Sequence, residues 1–331
     1  MEDASQFLDG VNLAVEEVNA TDLPGGRKIQ TRVYDDEASF ITGITIAQTI
    51  AQDPKIFAVV GHWNTAITLP ASTIYNESGL LLLSPIVSNV ELTRNGYQLL
   101  FRNIPSDEEI GKQMALYAGK SQYRRVAIYY TDNAYGRGLA DAFEDTAREN
   151  DITVIDRISG FSDERDFRRI LRKWDALDLD AIFVADSMPT GGEFILKLRS
   201  EGIAVPVIGG DGLDVDFIQT LGPAAEGVVM ATIYNPEDNH PSLQNFIEKF
   251  KVRYGKIPDV WAMQGFDSIH LLSWAIQQGK SPLPALVAQT LHSMPGWPGT
   301  IGTITFDENG DVVGLPILKK RVRNGTFEYI D

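Results

Sequence analysis

Apolar and polar residues alternate along this chain with two periods, one typical of helices and one typical of strands. In the first third, apolar positions recur at helical spacing and predict helices over 3–20, 39–53 and 66–75. Short β-branched or alternating runs separate them and predict strands. These strands cover 28–34, 56–60, 80–83 and 99–102.

The same alternation restarts after Pro105. Helices are predicted over 107–120, 135–149, 166–174 and 190–200. Strands are predicted over 126–130, 152–155, 181–184, 205–208 and 227–232. Strands that alternate with helices of this length are typical of parallel sheets with helices on both faces. Two successive runs therefore predict an α/β protein with two doubly wound parallel-sheet lobes.

The last third is mostly helical and ends in strands. Helices are predicted over 242–254, 260–278 and 283–291, and strands over 303–306, 312–319 and 327–330. Asn309-Gly310 lies between two of those strands and predicts a hairpin.

Clusters of Pro, Gly and Asn mark boundaries near 103–106, 234–237 and 311–316. We expect lobe 1 to comprise 1–104 plus 236–312, and lobe 2 to comprise 105–235 plus 313–331. Three crossings of the chain would then form the hinge between the lobes.

Composition excludes several classes of function. Asp plus Glu number 45 against 29 Lys plus Arg, a net charge of −16, which disfavours nucleic-acid partners. The absence of cysteine excludes disulfides and zinc-thiolate sites, and no two of the four histidines have the spacing of metal ligands on a helix. We therefore expect no metal and no cofactor.

Signatures of catalysis are absent from the sequence. There is no G-x-S-x-G nucleophile motif. Gly119-Lys120-Ser121 and Gly279-Lys280-Ser281 resemble the end of a phosphate-binding loop, but neither has the earlier glycine or a preceding strand. We therefore expect no catalytic residues and no enzyme activity.

Polar loops follow five predicted strands, where α/β proteins bind ligands. They are 61–65, 84–89, 132–136, 186–189 and 209–212. The helix N-terminus after Thr65 offers N–H groups to an anion, although Asn64 or Thr65 could serve only as a helix cap. Asp211 could receive an ammonium group, or it could simply cap a Gly-rich turn.

At these loops the sequence resembles the branched-chain amino-acid-binding (Leu/Ile/Val-binding-like) family, the type I periplasmic substrate-binding proteins of ABC transporters. The resemblance extends over almost the whole chain and lies in an ordered set of short segments. These are 7–14, 16–19, Tyr34-Asp35-Asp36, Gly61-His62, 70–72, Ser84-Pro85, 91–93, 135–140 and 306–311.

The resemblance implies roles for five of these residues. Thr65 matches the hydroxyl that holds the ligand carboxylate, and Val87 and Ser88 match the loop that shares this contact. Tyr135 matches an aromatic residue that closes from the second lobe, and Asp211 matches the acidic residue on the ligand ammonium. A zwitterion needs donors at one end and a carboxylate at the other, which this set provides.

The remaining candidate ligand-binding residues are Asn64 and Ser187, in the same loops, and three residues of an apolar wall, Trp63, Ile86 and Met188. The loop at Ile86 and Val87 is bulkier than is usual in this family, and the segment 186–188 lacks the expected aromatic residue. These departures leave the side-chain specificity of the site open.

The resemblance implies a type I periplasmic-binding-protein fold with two lobes joined by a three-crossing hinge. We expect a monomeric extracytoplasmic protein that captures a neutral or aliphatic amino acid by hinge closure and delivers it to the permease of an ABC importer. The alternatives are a ligand-sensing domain of a receptor and the binding of a non-amine ligand, such as an amide, urea or an aromatic acid. An α/β enzyme and a regulator's effector domain are disfavoured.

The start of the chain departs from the resemblance. Members of this family open with a strand before the first helix, whereas Met1 is followed at once by Glu2 and Asp3 and then by the first predicted helix. No basic and apolar leader is present. We expect the natural protein to carry both a signal peptide and that first strand.

Overall fold

The chain folds into two compact units in a computed structural model that describes residues 5–21, 23–214 and 216–330. Unit 1 contains 1–105 and 236–316, and unit 2 contains 106–235 and 317–331. The chain therefore passes from one unit to the other three times. Helices and strands are numbered along the whole chain, so the numbers within one unit are not consecutive.

Unit 1 holds the first and the third parts of the chain. Its helices are α1 (Ser5–Ala20), α2 (Phe40–Ala51), α3 (Thr65–Glu77), α9 (Pro241–Tyr254), α10 (Val260–Gly279) and α11 (Pro284–Ser293). Its strands are β1 (Ala58–Val60), β2 (Leu81–Ser84), β3 (Leu100–Arg102), β9 (Trp297–Pro298), β10 (Thr303–Phe306) and β11 (Val312–Val313).

Two small sheets organise unit 1. Strands β1, β2 and β3 pair in parallel in that order, and β10 pairs antiparallel with both β9 and β11. Residues of α2, α3 and β2, such as Ala47, Tyr75 and Leu82, form a buried cluster on the parallel sheet. Helix α1 packs closely on α10, because a Cβ atom added at Gly10 would lie 1.9 Å from the carbonyl oxygen of Ala262.

Unit 2 holds the middle of the chain and its last strands. Its helices are α4 (Asp107–Lys120), α5 (Ala134–Glu149), α6 (Glu164–Ala176), α7 (Thr190–Ser200) and α8 (Phe217–Leu221). Its strands are β4 (Arg125–Tyr130), β5 (Thr153–Ile158), β6 (Ala181–Ala185), β7 (Val207–Gly209), β8 (Val229–Thr232), β12 (Leu318–Arg323) and β13 (Thr326–Ile330).

One seven-stranded sheet with the order β13-β12-β8-β7-β6-β4-β5 forms the centre of unit 2. The strands from β5 to β8 are parallel, and β12 and β13 add an antiparallel edge. Separate clusters of buried side chains cover its two faces, one around Phe167 and Trp174 and one around Phe143 and Ile128. Each such side chain contributes about 1.5–3 kcal/mol relative to exposure.

The side on which successive strands are added to this sheet changes at β4. Strand β5 lies on one side of β4, and β6 with all later strands lies on the other. The carboxyl ends of β4 and β6 therefore flank a topological switch point, which is where open α/β sheets bind ligands. The predicted fold class, α/β with parallel-sheet lobes, is confirmed.

Most predicted helices and strands are present, with shifts of a few residues at their ends. The first predicted helix is confirmed from Ser5 onward, and its residues 3–4 lie outside the described part of the chain. The hairpin is also confirmed, since Gly310 has a φ of 82° and the Asp307 N–H bonds to the carbonyl of Asp311 at 2.9 Å.

Two predicted strands are wrong. No described strand pairs with residues 28–34, and Val33 is 65% exposed, so the alternating pattern there reflects no sheet. The predicted strand 312–319 breaks in the middle, because Gly314 adopts a φ of 82° and Pro316 lacks an N–H for a ladder. The two pieces belong to β11 in unit 1 and β12 in unit 2.

The elements β9 and α8 were not predicted, because they are only two and five residues long. None of the described helices is both long and apolar enough to cross a membrane.

Candidate functional site

The carboxyl ends of three parallel strands meet at one edge of the unit 1 sheet. Val60 pairs with Leu83, and Ser84 pairs with Arg102. The Gly61 N–H donates to the carbonyl of Leu83 at 3.2 Å, so the loop after β1 stays beside the end of β2. The candidate residues of loops 61–65 and 84–89 are thus brought to the same edge.

The first turn of α3 leaves its N–H groups without a side-chain cap. Asn64 occupies the cap position, but its side chain makes no capping hydrogen bond, and only its carbonyl oxygen accepts bonds, from Ile67, Thr68 N–H and the Thr68 hydroxyl. Thr65, the first residue of the helix, is buried. Uncapped N–H groups and the positive end of the helix dipole favour an anion at this position.

The second loop of unit 1 is held by a buried arginine. Arg102 has no exposed surface, and its Nη1 donates to the carbonyls of Ser88 at 2.7 Å and Asn89 at 2.6 Å. Its Nη2 lies 2.5 Å from Asp311 Oδ1 in the hairpin. Val87 packs its side chain in the core cluster, which leaves only its backbone available to a ligand.

Two further side chains hold the loops at this edge by hydrogen bonds. The Gln264 amide on α10 donates to the carbonyls of Pro85 at 3.1 Å and Asn103 at 3.2 Å. His62 lies between Asp36, 3.0 Å from its Nδ1, and the Tyr75 hydroxyl, 2.8 Å from its Nε2. These bonds connect the loop after β1 to α3 and the loop after β2 to α10.

Apolar surface borders this edge. Trp63 is 36% exposed, and its ring lies 5.2 Å from that of Trp261 on α10. Ile86 is half-buried in the second loop. An apolar wall beside a group of anion-binding donors suits an amphipathic ligand.

In unit 2 the candidate residues lie at the switch point of the sheet. Asn133 caps α5 by accepting from the Gly136 N–H at 2.9 Å, which places Tyr135 in the first turn of that helix after β4. The Met188 N–H after β6 donates to the carbonyl of Gly212 after β7 at 2.9 Å. The three loops that carry Tyr135, Met188 and Asp211 are therefore adjacent.

A hydrogen-bonded chain joins Tyr135, Asp211 and Gly212. The Tyr135 hydroxyl accepts from the Gly212 N–H at 3.0 Å and donates to Asp211 Oδ1 at 3.0 Å. This approach requires glycine, because a Cβ atom at position 212 would lie 2.7 Å from the Tyr135 oxygen. Asp211 forms no ion pair with any described residue of the chain.

Burial raises the pKa of Asp211 to about 6, although the hydrogen bond from Tyr135 opposes the shift. Burial also raises the pKa of Tyr135 well above its usual value, so the phenol stays protonated at neutral pH. Asp211 is thus a carboxylate at pH 7, and none of the described residues places a cation beside it. A ligand ammonium would stabilise its charged form.

The loop after β6 contributes an exposed Ser187 and a half-buried Met188. Its first residue, Asp186, is buried, and its Oδ1 accepts from the Ser187 N–H at 2.7 Å while its Oδ2 has no hydrogen-bond partner. Burial raises the pKa of Asp186 to about 6.

Three residues that hold these loops were not predicted from the sequence: Arg102, Gln264 and Asp186. Arg102 at the end of an apolar strand was a usable signal, since a charged residue there needs a partner. Gln264 gave no such signal, because its contact with Pro85 joins residues 179 positions apart.

Almost the whole chain is similar to known proteins. The profile of the family described as Periplasmic binding protein matches residues 2–315. A Leu/Ile/Val-binding protein homolog 1 from Brucella suis is 27% identical over 333 residues, which is 98% of this chain and 88% of that protein.

Two solved structures are similar to this chain over almost its whole length. An ABC transporter substrate-binding protein from Desulfitobacterium hafniense in complex with Leu is 40% identical, with a TM-score of 0.90 over 98% of this chain and 95% of that one. A solute-binding protein of an ABC transporter from R. palustris in complex with benzoate is 18% identical, with a TM-score of 0.87 over 98% and 90% of the two chains. The second likeness shows the fold alone.

Proposed function

Because this chain belongs to the periplasmic binding protein family, we propose that it captures a neutral, aliphatic amino acid by hinge closure and delivers it to the permease of an ABC importer. The chain is a solute-binding protein of the ABC-transporter type and not an enzyme.

One observation carries the amino-acid assignment. Asp211 presents a carboxylate that is fixed by Tyr135 and has no cation in the described chain. In unit 1, the uncapped first turn of α3 and Thr65 offer donors to a carboxylate. An α-amino acid carries both complementary charges, so Asp211 would hold its ammonium group and the α3 turn with Ser88 its carboxylate.

The apolar residues of the two units favour a ligand with a neutral side chain. Trp63 and Ile86 lie beside the donors of unit 1, and Met188 lies beside Asp211 in unit 2. The protein from Desulfitobacterium hafniense, 40% identical, was solved with Leu. An aliphatic side chain would gain free energy from leaving water at such a surface.

The test uses protein that has been unfolded and refolded to remove any retained ligand. Thermal melts are then recorded with each standard amino acid, acetamide, urea and benzoate. A ligand at about 100 times its Kd adds about 2.7 kcal/mol, which raises Tm by a few degrees. We expect this shift with an aliphatic amino acid and its loss in Asp211→Ala.

The matched control is Asp132→Ala, which removes an exposed carboxylate from the loop after β4 in the same unit. It should respond to the amino acid as the wild-type protein does. A shift with benzoate or an amide that persists in Asp211→Ala would contradict the proposal and assign a non-amine ligand.

We further propose that the protein acts outside the cytoplasmic membrane as a monomer, with the permease as its macromolecular partner. The family to which the chain belongs supports the extracytoplasmic location.

A further inference from the structure

Unit 1 contains a cavity of about 430 Å³ that the proposed function does not use. It is bordered by α1, α9, α10 and residues 297–300, and we call it the α1–α10 cavity. None of its lining residues belongs to loops 61–65 or 84–89. A cavity of this size holds a small organic molecule.

A half-satisfied carboxylate lies in its lining. Asp267 is 2% exposed, and its Oδ2 accepts from the Thr300 N–H at 3.0 Å and from the Thr300 hydroxyl at 2.9 Å. Its Oδ1 is buried and has no hydrogen-bond partner. Burial raises the pKa of Asp267 to about 7, because the ionised form has no compensating charge.

The other titratable groups of the lining do not neutralise the charge of ionised Asp267. Glu17 on α1 pairs with Lys249 on α9 at 2.9 Å, and its second oxygen lies 3.5 Å from His270 Nε2 on α10. Burial lowers the pKa of His270, so its ring is neutral at pH 7. With one lysine opposite two carboxylates, the lining has an excess negative charge whenever Asp267 is ionised.

Aromatic side chains supply the apolar part of the lining. Phe266, Trp274 and Trp297 all border the cavity. Gly299 packs against both Trp297 and Asp267, since a Cβ atom there would lie 2.9 Å from the Trp297 ring and 3.0 Å from Asp267 Oδ2. Aromatic faces beside carboxylates attract organic cations.

We propose that the α1–α10 cavity binds a small primary alkylammonium compound, with its ammonium group at Asp267 and Glu17 and its carbon chain against Trp274 and Trp297. A metal ion fits less well, because the described residues hold no group of three or more His, Asp or Glu side chains placed to coordinate one. Its ammonium group would donate a hydrogen bond to Asp267 Oδ1 and place a positive charge beside this carboxylate. This site is independent of the amino-acid site.

Butylammonium chloride is the probe, and 1-butanol and KCl are the controls for its alkyl chain and its ionic strength. Binding is followed by tryptophan fluorescence, because Trp274 and Trp297 line the cavity, and by calorimetry. We expect saturable binding of butylammonium only. Affinity should be about tenfold higher at about pH 8 than at about pH 6, because only ionised Asp267 pairs with the cation.

Three variants locate the site. Asp267→Asn keeps the shape of the side chain and should lose binding at least tenfold together with its pH dependence. Glu17→Gln should weaken binding, whereas Glu16→Gln, which alters the neighbouring carboxylate paired with Arg253, should not. Binding of butylammonium that depends on Asp267 should persist in Asp211→Asn, which removes the other carboxylate able to hold an ammonium group.

Four outcomes would overturn the proposal. Folded wild-type protein without saturable binding would do so, as would an equal response to 1-butanol. Unchanged affinity in Glu17→Gln would exclude the cavity even if Asp267→Asn failed to fold. Loss of binding in Asp211→Asn would place the cation at the amino-acid site instead.

Discussion

At the scale of single residues, Asp211 is a carboxylate that forms no ion pair within the described part of the chain, and we propose that a ligand ammonium binds it. Its oxygen Oδ1 accepts a hydrogen bond from a phenol that stays neutral, and burial raises its pKa to about 6. The apo site therefore carries a charge at neutral pH and loses it in mild acid.

This pKa predicts the pH dependence of amino-acid affinity. A ligand ammonium binds the ionised carboxylate, and a pKa of about 6 means that Asp211 is protonated as the pH falls below that value. The Kd should therefore be constant near pH 8 and rise about tenfold for each pH unit below 6. Isothermal titration calorimetry between about pH 5 and pH 8 measures it.

Asp186 has a similar pKa and lies on an adjacent loop, so it needs its own control. Asp186→Asn should keep the pH profile of affinity, and Asp211→Asn should show weak binding without one. A wild-type affinity that does not change between pH 5 and pH 7 would show that Asp211 does not bind the ligand's ammonium group.

At the scale of elements, the loop after β2 is held by a hairpin that lies more than 200 residues later in the sequence. Asp311 in the β10–β11 hairpin pairs with Arg102, which bonds the carbonyls of Ser88 and Asn89, and it also accepts from the Thr93 hydroxyl at 2.8 Å. The hairpin therefore contributes to the position of the proposed carboxylate-binding loop.

Asp311→Asn tests this connection. It removes the charge opposite a fully buried guanidinium, so the free energy of unfolding should fall by about 1–3 kcal/mol. Amino-acid affinity should fall several-fold, because the loop at Ser88 loses a fixed position. Urea unfolding and calorimetry give the two values.

Glu308→Gln, an exposed change in the same hairpin, is the matched control and should alter neither quantity. Reduced stability of Asp311→Asn with unchanged affinity would mean that the arginine contact supports the fold and not the ligand loop.

The elements also show what the sequence can predict. Helices such as α4 and α7 were predicted at their observed bounds, because their apolar faces repeat over many residues. The alternation at 28–34 was misleading, since a strand exists only with a partner and the periodicity carries no information about one. Strand β12 was placed wrongly because its partner β8 ends 86 residues earlier.

The candidate loops were predictable for a different reason. Parallel strands end at one sheet edge, so loops after strands converge wherever the order of strands reverses. Which side chain holds each loop was not predictable. The contacts from Gln264 to Pro85 and from Asp311 to Arg102 join segments far apart in sequence, and only folding brings them together.

At the scale of the whole molecule, a net charge of −16 opposes compaction. Raising the ionic strength from about 0.01 M to about 0.15 M shortens the screening length from about 30 Å to about 8 Å. We expect the urea midpoint of unfolding to rise over this range in KCl. A falling midpoint would mean that surface ion pairs, such as Arg168–Glu201, stabilise the fold more than the excess charge opposes it.

The three crossings between units also dictate an order of events during synthesis. Residues 106–235 emerge as one continuous segment and include five of the seven strands of their sheet. Helix α1 is made before unit 2, but its packing partner α10 follows about 250 residues later. The amino-terminal part of unit 1 therefore cannot complete its packing until α10 has been made, and it is open to chaperones while unit 2 can already assemble its parallel strands.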